Sequence, residues 1–110
     1  MNELDYLETI PGSVTICDLK GEIIKMNLKA KSTFSGDYTG SNVLDCHHEP
    51  ARTKLRELLA TEGTNVYTIE KNGKKKIIYQ APWYIDGVYS GLIELSFEIP
   101  FDMPHFKRAS

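Results

Sequence analysis

The sequence predicts an α+β domain in which one antiparallel sheet carries helices on one face. Three observations lead there. Turn signals recur at Asp18–Gly21, at Asn72-Gly73 and at Asp86-Gly87, each between strand-like runs. One amphipathic helix, Pro50–Glu62, places Ala51, Leu55, Leu58 and Leu59 on one side and Arg52, Lys54, Arg56 and Glu57 elsewhere. The final run, Val88–Ile99, alternates cleanly, with Ile93, Leu95, Phe97 and Ile99 on one face and Glu94, Ser96 and Glu98 on the other. The apolar set is expected to face the helices.

The elements follow in order. In Asn2–Ile10, Leu4, Tyr6 and Leu7 are spaced for a short amphipathic flanking helix, stopped by Pro11-Gly12. Ser13–Cys17 is β-branched and alternating, and Glu22–Met26 returns as its hairpin partner. Asn27 can cap a short helix over Leu28–Ser32. Thr33–Thr39 is loop, anchored by Phe34 and Tyr38. Ser41 can cap a helical turn through Val43, Leu44 and Asp45. Pro50 suits the first turn of the main helix and Gly63 the position past its end. Asn65–Lys71, Ile77–Ile85 and Val88–Ile99 then form a three-strand meander. Pro82 cannot donate to a ladder, so a bulge or unpaired position is expected there. Trp83, Tyr79, Tyr84 and Tyr89 are expected to pack across strands near Asp86-Gly87.

The 110 residues read as a single domain, with 1–10 a flanking helix and 101–110 a tail apolar enough to pack back on it. A formal charge of −2 gives no reason to expect nucleic acid or an anionic membrane as partner. No apolar run approaches a membrane span, and the acidic start does not read as a signal peptide. Two cysteines, Cys17 and Cys46, are too few for a disulfide scaffold; two reduced thiols in a cytoplasmic protein are expected.

VTICDLKGEIIKMN, then GSNVLDCHHEPARTKLRELL, then YSGLIELSFEIP resembles a PAS domain over roughly residues 10–100. The order of elements carries that resemblance more than any one residue. The CH dipeptide before the long helix, with the GLIEL strand, also looks like a subgroup of small bacterial PAS-like domains of unassigned function. The resemblance implies a five-stranded antiparallel sheet in the order 2-1-5-4-3. It also implies a small-molecule cavity between sheet and helices, and a homodimer formed through the N-terminal segment.

The candidate chemistry gathers at Gly40–Pro50. Gly40-Ser41-Asn42-Val43 is similar to the Gly-x-Asn-Cys of flavin-binding photosensory PAS domains, but Val43 stands where the thiol is needed. Flavin is therefore not expected. His47 or His48 could ligate haem iron, as one histidine of the long helix does in some PAS domains. Here the inward helix positions are apolar and the histidines sit at the entrance, so no cofactor is assigned. Cys46, His47 and His48 are too close together to be a good metal set, and no metal is expected. Cys46 beside a helix N-terminus is a conceivable nucleophile, but nothing nearby supplies an orienting partner or oxyanion hole.

The sequence is thus read as a PAS-type sensor or interaction module and not as an enzyme, with output through a second copy or an unknown protein partner. A ligand-free dimerisation module is the alternative, and a thiol enzyme using Cys46 the outsider. The expected ligand site comprises Cys46, His47, His48, Arg52 and Leu55, closed over by Phe34 and Tyr38 and lined by Ile24, Met26, Ile93 and Leu95 at its apolar end. The free N–H groups of the long helix and Arg52 suggest a ligand that is part apolar and part anionic.

Overall fold

Short turns with left-handed residues join most of the strands, which is why the sheet is antiparallel throughout. Asn72 (φ 54°) with Gly73 and Asp86 (φ 48°) with Gly87 occupy the two hairpin tips that the sequence marked. The computed structural model describes residues 3–109, and side chains from Asp5 onward. The elements are α1 (Glu3–Thr9), β1 (Ser13–Asp18), β2 (Ile23–Met26), α2 (Leu28–Thr33), α3 (Ala51–Thr61), β3 (Asn65–Lys71), β4 (Lys74–Ile85) and β5 (Val88–Ile99). They form one five-stranded sheet in the order β2-β1-β5-β4-β3, as expected.

The start of α2 is tied down by Asn27, which is 1% exposed. Its Oδ1 accepts from the N–H of Ala30 at 2.9 Å and from that of Val14 at 3.0 Å. Its Nδ2 donates to the carbonyls of Leu7 and Gly12, both at 2.8 Å. One amide therefore caps α2 and also ties it to α1 and β1.

The core lies between the sheet and the helices. Cys17, Ile23, Met26 and Leu92 from the strands pack with Ala30, Val43, Leu55 and Leu58. Burial and cross-strand pairing assign the sheet faces. Ser13, Thr15 and Cys17 pair with Ser96, Glu94 and Leu92, so all six share the helix-facing side. This reverses the expectation for β5. Ile93, Leu95 and Phe97 lie on the opposite face, where Phe97 is 44% exposed. Alternation defines two faces but not which one is covered, and here the helices cover the more polar one.

Several local expectations also shift. The long helix runs Ala51–Thr61, with Pro50 at its cap and Ala51 exposed. Glu62 (φ 55°), not Gly63, takes the left-handed position at its end, and Tyr84 Oη donates to the Glu62 carboxylate at 2.6 Å. Tyr89 Oη donates to the Leu59 carbonyl at 2.9 Å, so the expected aromatic hairpin also anchors the helix. Around Val43, Asn42 rather than Ser41 organises the turn, its Oδ1 accepting from the Leu44 N–H at 2.9 Å. The β4 irregularity falls between Trp83 and Tyr84, one residue past Pro82. Pro82 lies beyond the last β3–β4 pair, Asn65 with Gln80, where β4 has no neighbour on that side.

Gly91 (φ 155°) makes the closest approach in the sheet: a Cβ there would stand 2.0 Å from the Cys17 carbonyl oxygen. The Trp83 indole crosses this space and donates from Nε1 to that oxygen at 2.9 Å. The tail does not pack back as expected; Phe101, Met103 and Phe106 are all more than half exposed. In α1, Tyr6 and Leu7 are exposed, whereas Leu4's side chain lies outside the described residues.

Candidate functional site

The connector between α2 and α3 lies over the helix-facing side of β1, β2 and β5, and a cavity of ≈ 360 Å³ opens beneath it. The connector is held at fixed points. Met26 Sδ accepts from the Tyr38 N–H at 3.2 Å. Glu22 forms an isolated bridge with Asn42, and the Ser41 carbonyl accepts from the Ile23 N–H at 2.8 Å. Arg52 Nε donates to the Leu44 carbonyl at 2.6 Å, binding the far end of the connector to α3. The apolar wall comprises Ile23, Met26, Phe34, Tyr38 and Val43; the polar groups are Thr15, Asp45, Cys46, His47 and Glu94.

Four of the residues predicted from sequence and brought to this cavity are Cys46, His47, Phe34 and Tyr38, with Met26 from β2 as a fifth. Leu55 borders a smaller neighbouring space shared with Thr15, His47 and Glu94. The others are placed elsewhere. Ile24 is 43% exposed, because the β1–β2 pairing skips from Lys25 to Ile23 and leaves Ile24 out of the ladder. Ile93 and Leu95 are on the far face of the sheet. His48 is exposed and does not line the cavity. Arg52 is spent on the Leu44 carbonyl and, at 3.9 Å, on Asp45.

At the α3 N-terminus, where an anion is expected, the chain supplies a carboxylate of its own. The Glu49 carboxylate accepts from the Thr53 N–H at 2.9 Å and from its hydroxyl, which holds its pKa below the usual carboxylate range. The N–H groups of Arg52 and Lys54 donate to the carbonyls of His48 and Pro50. Of the donors expected to meet an anion, the Arg52 Nε and the Thr53 N–H have acceptors within the chain.

Glu94, Thr15, Ile23, Val43 and Asp45 are the site residues that sequence reasoning missed. The alternation of β5 by itself places Glu94 on the face away from the apolar set. Burial pushes its carboxyl above the ordinary range, opposed by the charge of His47 and by a hydrogen bond from the Gln80 side chain. Gln80 is itself buried and accepts from Asn65 Nδ2 at 3.0 Å. Thr15 Oγ1 is buried without a hydrogen-bond partner. His47 Nδ1 stands 2.8 Å from the Val43 carbonyl oxygen. A carbonyl can only accept, so Nδ1 carries a proton and Nε2 is the ring nitrogen that this bond leaves uncommitted. The available signal was three polar residues, Thr15, Glu94 and Gln80, in three strands whose other positions are mostly apolar. Among the described residues, no group of three or more His, Cys, Asp or Glu is placed to hold a metal ion. No helix of the described residues is long and apolar enough to cross a membrane.

This architecture is the PAS fold. The PAS domain of Bordetella pertussis BvgS superposes with a TM-score of 0.66 at 15% identity, over 91% of this chain and 88% of that one. A sensory box sensor histidine kinase from Vibrio cholerae gives 0.64 at 17% identity, over 89% and 90%. The PAS domain of an HTR-like protein from Haloarcula marismortui gives 0.62 at 14%, over 87% and 94%. No family model matches the sequence, and no curated protein matches it.

Proposed function

We propose that this chain is a sensor module of PAS type: a small molecule occupies the cavity beneath the connector, and its presence is passed to a second copy or a protein partner. The observation that carries this reading is a cavity whose wall includes a buried hydroxyl without a partner, Thr15 Oγ1, beside the half-buried Glu94. Packing alone does not account for an unsatisfied polar atom at that depth. The PAS-fold neighbour that is a sensor histidine kinase supports the signalling half of the reading. Connector residues at the cavity also contact α3 and β2, so an occupant would press on both.

Output through self-association is supported by the apolar surface left uncovered. Tyr6, Leu7 and Ile10 around α1 are exposed, as are Val66, Tyr79 and Phe97 on the open sheet face. We infer a homodimer using α1 and this face. The second reading, a ligand-free dimerisation module, draws on the same surface. Native mass spectrometry of the purified protein separates the two: a bound small mass supports the sensor, and an empty protein that dimerises supports the module. Sedimentation of a variant lacking residues 1–10 tests the dimer, and an unchanged state of association refutes the role of α1.

A further inference from the structure

The helix-facing side of the sheet carries a polar row that crosses four strands in register. Asn65 pairs with Gln80, Gln80 with Glu94, and Glu94 with Thr15. The row has a direction. Asn65 Nδ2 donates to Gln80 Oε1, which leaves the Gln80 NH₂ as the donor end of that side chain, beside its cross-strand neighbour Glu94. The row ends at the cavity on Glu94, whose carboxylate oxygens are acceptors.

Two further polar groups stand around that end. His47 has committed Nδ1–H to the Val43 carbonyl, which leaves Nε2 as its uncommitted ring nitrogen. Thr15 Oγ1 is buried without a partner and can accept through two lone pairs. Asp45 lies at the cavity rim with its carboxylate in solvent, 3.9 Å from Arg52, whose Nε donates to the Leu44 carbonyl. Phe34 and Tyr38 in the wall offer ring quadrupoles that attract cations. At the α3 N-terminus the Thr53 N–H and hydroxyl already donate to Glu49.

Building on the reading of this cavity as a small-molecule site, the geometry points to a ligand with a cationic, multi-donor nitrogen head on a small apolar body — an amidinium or primary ammonium. The head sits between Glu94, Thr15 Oγ1 and His47 Nε2; the body lies against Ile23, Met26 and Val43. Planar amidinium matches a carboxylate with two parallel N–H···O bonds. A carboxylate of the same shape would instead meet the Glu94 carboxylate.

Three probes of one shape test this: benzamidinium, benzamide and benzoate, titrated at neutral pH by calorimetry and by two-dimensional NMR of the labelled protein. Benzamidinium is expected to shift resonances of Thr15, Val43 and Met26 and to bind at least about ten-fold more tightly than benzamide, the scale of one charge-assisted hydrogen bond. Glu94→Gln, which keeps the shape of the side chain, is expected to abolish that preference. Thr15→Val should weaken benzamidinium binding without touching the charge. If benzoate or benzamide binds in the cavity as well as benzamidinium does, or if Glu94→Gln keeps the preference, the cationic assignment is wrong while the cavity remains a binding site. If none of the three shifts cavity resonances at millimolar concentration, both the assignment and the sensor reading fall. Circular dichroism of each variant confirms that loss of binding is not loss of fold.

Discussion

Replacing Asn27 by alanine removes four hydrogen bonds from one buried point, and the size of the loss can be worked from the partners. Two backbone N–H groups, those of Val14 and Ala30, would keep their burial and lose their acceptor. Each stranded donor costs about 1–3 kcal/mol. The loss at Ala30 is also the loss of a helix cap, typically ~1 kcal/mol and already counted in that range. The carbonyls of Leu7 and Gly12 lose a donor each. Leu7 is at a partly exposed place and water replaces the amide there, so this bond adds little. The sum is about 3–5 kcal/mol, against a total stability of about 5–15 kcal/mol for a domain of this size. Urea unfolding followed by the fluorescence of Trp83, the one tryptophan in the sequence, measures it directly. The midpoint of thermal unfolding should fall by more than about 10 °C. Asn27→Asp keeps both acceptor bonds but turns a carboxylate toward two carbonyl oxygens. It should be destabilised at neutral pH and recover in acid, where the protonated group can donate once. A loss below about 0.5 kcal/mol for Asn27→Ala, the range of surface changes, would refute the claim that this amide joins α1, β1 and α2.

Glu94 is raised by burial, so the folded state holds its proton more tightly than the unfolded chain does. Its contribution is therefore fully present below the ordinary carboxylate pKa and is lost as pH rises through the raised folded value. Glu94→Gln should thus gain stability relative to the native chain in thermal melts at pH 7–8 and show no gain near pH 4, with His47, Asp45 and Gln80 left in place; an equal effect at both pH values would contradict the assignment. Gly91→Ala should unfold the protein or displace β5 from β1, because Cys17 O and the Trp83 indole occupy the space; a native-like Trp83 spectrum and melt would count against it. Phe97→Ala should cost about 1 kcal/mol or less in the monomer, well under the 3–5 kcal/mol of a buried phenylalanine, and should weaken self-association in sedimentation. A loss in the buried range without change in association would restore the original orientation of β5.

The sequence determined the elements, because their signals are local. Asn72-Gly73 and Asp86-Gly87 specify tight turns through left-handed backbone. Leu55 and Leu58 recur at helical spacing, and Asn27 can reach the N–H three residues on. These facts need no knowledge of distant parts of the chain. The order of the strands came from resemblance rather than from any such signal. What only the tertiary structure decided is which face of each strand is covered. The alternation in β5 is the same whether Ile93 and Leu95 or Leu92 and Glu94 face the helices, and no local term separates the two. The choice falls to the cross-strand register with Thr15 and Cys17, and to helices that offer few apolar side chains for coverage. The site followed the same division. Cys46, His47, Phe34, Tyr38 and Met26 could be placed near the cavity because they lie on the connector or beside it. Glu94, Thr15 and Gln80 are far apart in sequence and meet only through pairing of β1, β5 and β4. Arg52 and the first N–H groups of α3 looked available for a ligand until folding brought the Leu44 carbonyl to Arg52 Nε and the Glu49 carboxylate to the Thr53 N–H.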